Sequence, residues 1–281
     1  MLAPATTTAR RLPRLSRGWQ AGTVSSPTAT LDVALLQQAS SLEPADNRAA
    51  LTAGTPDGAD LVVWPEAFAR DFGRPGSDVG PYAEAVDGPF ASTVAQAAAA
   101  HGCTVVAGMF ESSGDPERPF NTLVARGAAV ADYRKVHLYD SFGYRESDRL
   151  VAGEPGATTV TVDGWRVGLM TCYDLRFPEM ARLLVDAGAE VLVVPAAWVA
   201  GPRKVDHWRT LVRARAIENT VYVVAVGQPG PRYTGRSTVV DPLGDVLVEA
   251  GEEPEVLTAT LHREVLDEAR RTNPSLANRR L

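Results

Sequence analysis

Thr158-Thr159-Val160-Thr161-Val162-Asp163-Gly164-Trp165-Arg166-Val167-Gly168-Leu169-Met170-Thr171-Cys172-Tyr173-Asp174-Leu175-Arg176-Phe177-Pro178-Glu179 carries two signals from which the rest of the chain can be read. Asp163-Gly164 sits between two strand-like runs, residues 158–162 and 165–170, and such a dipeptide is a strong hairpin signal. The second run then stops at a cysteine, and a proline and a helix-like stretch follow. A thiol is thereby placed at the end of a strand, near the start of a helix. A helix N-terminus favours a thiolate, the nucleophilic form.

Downstream, residues 177–187 read as a helix ending at Gly188, 190–194 as a buried strand, and 204–219 as a longer amphipathic helix. A strand at 221–226 follows. Residues 237–240 and 245–249 pair around Pro242-Leu243-Gly244, and the chain closes with a strand at 257–261 and a helix at 263–271. Upstream, 31–37 reads as a first strand, 46–53 as a helix opening after Pro44, and 59–64 as a short buried strand ended by Pro65. The Ala-rich stretch 88–101 is helical and stops at Gly102. Residues 103–110 are another buried strand, and 121–126 and 129–134 form a pair turning at Gly127. Residues 136–155 are polar, aromatic and irregular, long for a loop, and loops of that length are often functional. Strands and helices alternate, yet several hairpins interrupt them. Mixed sheets with helices outside therefore fit better than a purely parallel doubly wound sheet.

The chain has 281 residues, enough for one large α/β domain, with a net charge of −6 that gives no reason to expect nucleic-acid binding. No apolar run approaches the length of a membrane span. Two cysteines imply no disulfide framework, and the four histidines lack ligand spacing, so no metal is expected. Residues 1–30 contain Arg10, Arg11, Arg14 and Arg17 and no acid; they read as a disordered tail or an over-long start before a domain at 31–281. With no secretory h-region, a cytoplasmic location is the expectation.

Three residues stand out at the ends of apolar runs: Cys172, Glu66 and Lys135. Cys103, inside Cys103-Thr104-Val105-Val106, reads as a small buried hydrophobe. Cys172 differs because Thr171, Tyr173, Asp174 and Arg176 crowd it, the setting of a nucleophile. Glu66 suits proton transfer at a strand mouth, or is an ordinary helix N-terminal acid after Pro65. Lys135 is a fixed ammonium that can hold an oxyanion, or a solvated strand-end lysine. Arg145, Arg176 and Tyr144 are candidates to hold a substrate carboxylate, with Arg176 equally a structural ion-pair residue. Trp198, just after a strand, walls a pocket or fills the core.

Trp64-Pro65-Glu66, Arg134-Lys135-Val136-His137-Leu138 and Cys172-Tyr173-Asp174-Leu175-Arg176-Phe177-Pro178-Glu179 resemble the three signature segments of the nitrilase superfamily, in order and at fitting separations. The likeness runs over about residues 31–261. Arg213-Ala214-Arg215-Ala216-Ile217-Glu218-Asn219 resembles the helix after the nucleophile, and the 235–244 segment also matches. The resemblance implies a four-layer α-β-β-α sandwich with two mixed β-sheets, pairing through helices into homodimers or larger assemblies, with no cofactor. By position it makes Cys172 the nucleophile, Glu66 the general base, Lys135 the oxyanion-stabilising cation and Glu146 an additional glutamate. The Tyr173 backbone N–H becomes a second oxyanion donor. Cys-Tyr-Asp followed by Arg-Phe-Pro-Glu looks like the omega-amidase and deaminated-glutathione-amidase branch; true nitrilases usually show Cys-Trp-Glu there. The implied activity is hydrolysis of a small linear amide to an acid and ammonia. The alternatives are carbamoyl or nitrile hydrolysis on the same fold, or a catalytically quiet binding protein.

Overall fold

The computed structural model describes residues 28–280. Most of the expected N-terminal tail lies outside the described residues; of residues 28–30, Thr28 donates its N–H to Asp163 O and Thr30 begins the first strand. Fourteen strands and five α-helices follow in order: β1 (Thr30–Gln37), α1 (Pro44–Gly54), β2 (Leu61–Val63), α2 (Pro89–His101), β3 (Thr104–Glu111), β4 (Phe120–Arg126), β5 (Ala131–Arg134), β6 (Asp140–Ser141), β7 (Tyr144–Arg145), β8 (Thr159–Val162), β9 (Trp165–Leu169), α3 (Pro178–Asp186), β10 (Val191–Ala196), α4 (Lys204–Asn219), β11 (Tyr222–Gly227), β12 (Thr238–Val240), β13 (Val246–Glu249), β14 (Glu255–His262) and α5 (Arg263–Thr272).

Local chemistry accounts for most boundaries. Pro44, Pro89 and Pro178 occupy first helical positions, where their missing N–H costs nothing. Gly102 ends α2 in the left-handed region, with φ 64°. Asp163 and Gly164, with φ 44° and 80°, make the tight turn expected between β8 and β9.

Two six-stranded sheets result, ordered β14-β1-β2-β3-β4-β5 and β13-β12-β11-β10-β9-β8. Each is parallel at its centre (β1-β2-β3 and β9-β10-β11) and antiparallel towards both edges, so both are mixed. The alternation of strand side chains then defines the layers. From β1, Val33 and Leu35 enter the core shared with Val193 of β10 and Val224 of β11. Ala34 and Leu36 point the other way, against Leu51 of α1 and Phe90 and Val94 of α2. Helices α3 and α4 cover the second sheet through Met180, Leu184, Trp208 and Val212. The order is helix, sheet, sheet, helix, the four-layer sandwich the sequence implied.

Two details differ from the expectation. The 136–155 stretch contains a small hairpin, β6-β7, and a 3-10 turn at Glu146–Asp148. The residues after β9 form a five-residue 3-10 turn, Cys172–Arg176, before α3 begins at Pro178. Cys172 therefore does not sit at an α-helix N-terminus, and no aligned helix dipole is available to ionise it. Among the described residues no helix is long and apolar enough to cross a membrane.

Candidate active site

The carboxyl ends of the central parallel strands converge, the place where α/β sheets build sites. β2 delivers Glu66, β9 delivers Cys172 and β10 delivers Ala197 and Trp198. Lys135 follows β5 and is fixed by its N–H, which donates to Asn121 O on β4. Glu146 opens the 3-10 turn just after the β6-β7 hairpin. All four predicted polar residues thus meet in one place, and Glu66, Lys135 and Glu146 are 1 %, 2 % and 3 % exposed.

Each oxygen of Glu66 has a defined task. Oε1 accepts from Lys135 Nζ at 2.9 Å and from Asn121 Nδ2 at 2.7 Å. Oε2 accepts the Ala197 N–H at 2.6 Å, and the charge of the same carboxylate acts on the Cys172 thiol. Gln228 Nε2 holds the Glu66 backbone carbonyl at 2.9 Å. The backbone of Glu66 and Ala67 lies directly on Gly108 of β3, where a Cβ would stand 2.4 Å from Ala67 N. Only glycine permits that approach.

Lys135 also donates to both Glu146 oxygens, at 3.1 and 2.9 Å. Glu146 Oε2 further accepts the Tyr139 N–H at 2.6 Å. Burial would discharge the ammonium, but the charges of Glu146 and Glu66 outweigh it and hold the Lys135 pKa well above its ordinary value. Burial pushes the Glu146 carboxyl up; Lys135 opposes this and Glu66 adds to it.

Cys172 corrects one expectation. Burial raises its thiol well above the ordinary value, the charge of Glu66 raises it further, Lys135 pulls it down, and Glu146 adds to the rise. Burial and the two carboxylates therefore favour the protonated thiol over a preformed thiolate. Its backbone is strained, with φ 46°, a region non-glycine residues rarely adopt. Asp174, fully buried, braces that turn. Its Oδ2 accepts from Tyr133 Oη at 2.6 Å and Thr171 N at 2.8 Å; its Oδ1 accepts from His137 N at 3.0 Å and contacts His137 Nδ1 at 2.7 Å. The carboxylate ties the lysine segment to the cysteine turn.

A cavity of about 510 Å³ opens over Cys172, Glu66 and Lys135. Tyr144, Tyr173, Arg176 and Trp198 line it, as the sequence suggested. Arg145 does not: its side chain is 70 % exposed and pairs with Asp148 at 3.3 Å. Neighbours on a strand face opposite ways, so the β7 register that turns Tyr144 inward turns Arg145 out. Arg176 makes no ion pair among the described residues; its guanidinium lies 4.8 Å over the Trp198 ring. Asn121 and Lys204 escaped the sequence reading, and Asp174 was named there only as a neighbour of Cys172. A polar asparagine inside the buried β4 run Asn121-Thr122-Leu123-Val124-Ala125 was the available signal for the first.

This arrangement provides a thiol, a carboxylate base lining the same cavity, and a locked cation bonded to that base, which is the equipment for nucleophilic attack on a carbonyl-like carbon. Comparison with known proteins agrees. The carbon-nitrogen hydrolase family model matches residues 27–271. A hydrolase of Mycobacterium tuberculosis is 43 % identical over 253 residues, spanning 82 % of this chain and 88 % of its own. The deaminated glutathione amidase of a Synechocystis species is 40 % identical over 192 residues, 63 % of this chain and 70 % of its own. The crystal structure of a CN-hydrolase superfamily protein from Xanthomonas campestris, carrying an arsenic adduct in its active site, superposes with a TM-score of 0.80. It is 31 % identical, and the match covers 90 % of this chain and 98 % of that one.

Proposed function

This chain belongs to the carbon-nitrogen hydrolase family, whose members act on non-peptide C–N bonds, and we propose that it cleaves a small linear ω-amide of a dicarboxylic acid through a thioester on Cys172. One observation carries the reading. Cys172, Glu66 and Lys135 line one cavity, the charge of the Glu66 carboxylate acts on the Cys172 thiol, and Glu66 Oε1 already accepts from Lys135 and Asn121.

Because the resting thiol is neutral, the nucleophile is generated during the reaction. Glu66 Oε2 takes the thiol proton as Sγ attacks the amide carbon. Oε1, already accepting two donors, is the poorer proton acceptor, so Oε2 carries the proton. The transfer leaves the net charge of the buried cluster unchanged. The carbonyl oxygen becomes an oxyanion, for which Lys135 Nζ and the Tyr173 N–H are the donors. Glu66 then protonates the departing nitrogen, the C–N bond breaks, and the acyl group remains on sulfur. Water next gives a proton to Glu66 and adds to the thioester carbon. The C–S bond breaks, the sulfur recovers the proton, and the acid leaves. Positioned proton transfer supplies roughly 100- to 10,000-fold, and each oxyanion donor about 3 kcal/mol. Glu146 holds Lys135 in place through both of its carboxylate oxygens.

The relatives named deaminated glutathione amidases make ω-amides the first class to test. The experiment is ammonia or amine release from a panel of ω-amides, uncharged amides, nitriles and carbamoyl compounds, with Cys172→Ala and Glu66→Gln as controls. Release from ω-amides that vanishes in both variants is expected. Release that persists in Cys172→Ala, or that occurs from nitriles alone, overturns the reading.

A further inference from the structure

Helix α4 opens with a residue that its position disfavours. Lys204 is the first residue of the helix, at the positive end of its dipole, and Arg203 before it offers no side-chain cap. The lysine is also buried, only 8 % exposed. Its ammonium is turned into the cavity over Cys172, where it donates to Tyr139 Oη at 2.8 Å and lies 4.0 Å from the Phe142 ring centre. Arg176 faces the same space. Its guanidinium is 4.8 Å from the Trp198 ring centre, with the Lys204 ammonium 5.9 Å from that same centre. The Arg176 Nε is buried without a hydrogen-bond partner, and its Nη2 reaches only the ring of His207, at 3.4 Å.

No acid balances these two cations among the described residues. Neither takes part in an ion pair, and the two carboxylates that line the cavity, Glu66 and Glu146, are both bonded to Lys135. Burial and the neighbouring charge of Arg176 pull the Lys204 pKa below its ordinary value. Two adjacent cations, partly desolvated and unpaired, cost stability that packing does not return. A bound anion would offset that cost.

We propose that Lys204 and Arg176 form an anion subsite that holds the carboxylate at the far end of the acyl chain, and so select carboxylate-bearing amides over neutral ones. The inference rests on the amidase reading above. The chemistry suits the group: a guanidinium fork can meet two carboxylate oxygens at once, and the ammonium supplies a further donor. Both cations line the same cavity as Cys172, so one short chain can reach from them to the thiol.

The test has two arms. In the first, the kcat/KM for glutaramate is divided by that for the uncharged amide of similar length, butyramide, in wild type, Lys204→Met and Lys204→Arg. Losing a charge-assisted hydrogen bond reduces the ratio by about tenfold or more in Lys204→Met. Lys204→Arg, which keeps the charge, recovers most of it. In the second arm, calorimetry follows glutarate binding to Cys172→Ala and to the double variant Cys172→Ala/Lys204→Met. Binding weakened by a similar factor in the double variant is expected. An unchanged ratio, or equal glutarate binding by the two proteins, overturns the subsite. Wild type that turns over no amide while glutarate binding still depends on Lys204 refutes the amidase reading and leaves the subsite standing.

Discussion

Adding one methyl group at Gly108 tests whether the site depends on a backbone contact far from any titrating atom. Gly108 lies in β3, beneath the turn that carries Glu66. A Cβ there would stand 2.4 Å from Ala67 N, 2.8 Å from Glu66 Cα and 2.9 Å from Glu66 C. The first distance is about 1 Å short of ordinary contact, and the obstructing atoms are backbone, which cannot rotate aside. The segment of residues 66–67 must therefore move by something near 1 Å in Gly108→Ala. That movement displaces the carboxylate relative to Cys172 and disturbs its bonds to Lys135, Asn121 and the Ala197 N–H. A displacement of that size at a reacting group costs roughly 100-fold in rate. Overpacking adds about 1–3 kcal/mol of destabilisation. Steady-state kinetics on the best ω-amide and a thermal melt measure both, and the loss should fall mainly on kcat. Gly108→Ala with wild-type kcat, in a protein that melts normally, would refute the claim that Glu66 is positioned through this contact.

Further outcomes are expected. Asn121→Ala removes one of two donors to Glu66 Oε1, a bond to a charged group worth about 1.5–3 kcal/mol, and lowers kcat roughly 10- to 100-fold. Asn121→Asp, although isosteric, should be worse than alanine at neutral pH because it sets a second carboxylate against Glu66; kinetics that rank alanine below aspartate would instead indicate a packing role. Tyr133→Phe deprives buried Asp174 of its 2.6 Å donor and lowers stability by about 1–2 kcal/mol in denaturant melts, while an unchanged midpoint would show the bond to be dispensable. The buried Cys172 thiol stays protonated as pH rises past 9.0, its ordinary value, whereas the unfolded chain loses that proton there. The unfolded state then binds fewer protons, so stability falls with rising pH above 9.0, and Cys172→Ala lacks this component. The ultraviolet thiolate absorbance, wild type minus Cys172→Ala, should stay flat up to that pH; a rise near neutrality would contradict the assigned resting state.

The alternating layers were legible because local signals set them. The Asp163-Gly164 turn, the prolines at helix starts and the stop at Gly102 all agree with the element boundaries. The pairing of β14 along the whole of β1, from Thr30 opposite His262 to Gln37 opposite Glu255, was not legible, since it joins segments more than two hundred positions apart. In the site, Cys172 could be read from the polar residues crowding the end of an apolar run, whereas Glu66 and Lys135 were left open by their local sequence and decided by the family resemblance. The charge state of Cys172 could not, because the carboxylates that raise it arrive from β2 and from the turn after β7. Arg145 and Tyr144 were indistinguishable in sequence, and only the register of a two-residue strand separates them. Lys204 opened a helix whose limits were read correctly, but nothing in the sequence said that the ammonium turns inward onto Tyr139.

The most direct measurement is mass spectrometry of the intact protein, acid-quenched during turnover of an ω-amide and then mapped by proteolysis. A mass increase equal to the acyl group, located on Cys172 and absent in Cys172→Ala, is the result the thioester account predicts. Turnover at full rate with no adduct on Cys172, or with the acyl group on another residue, would contradict it.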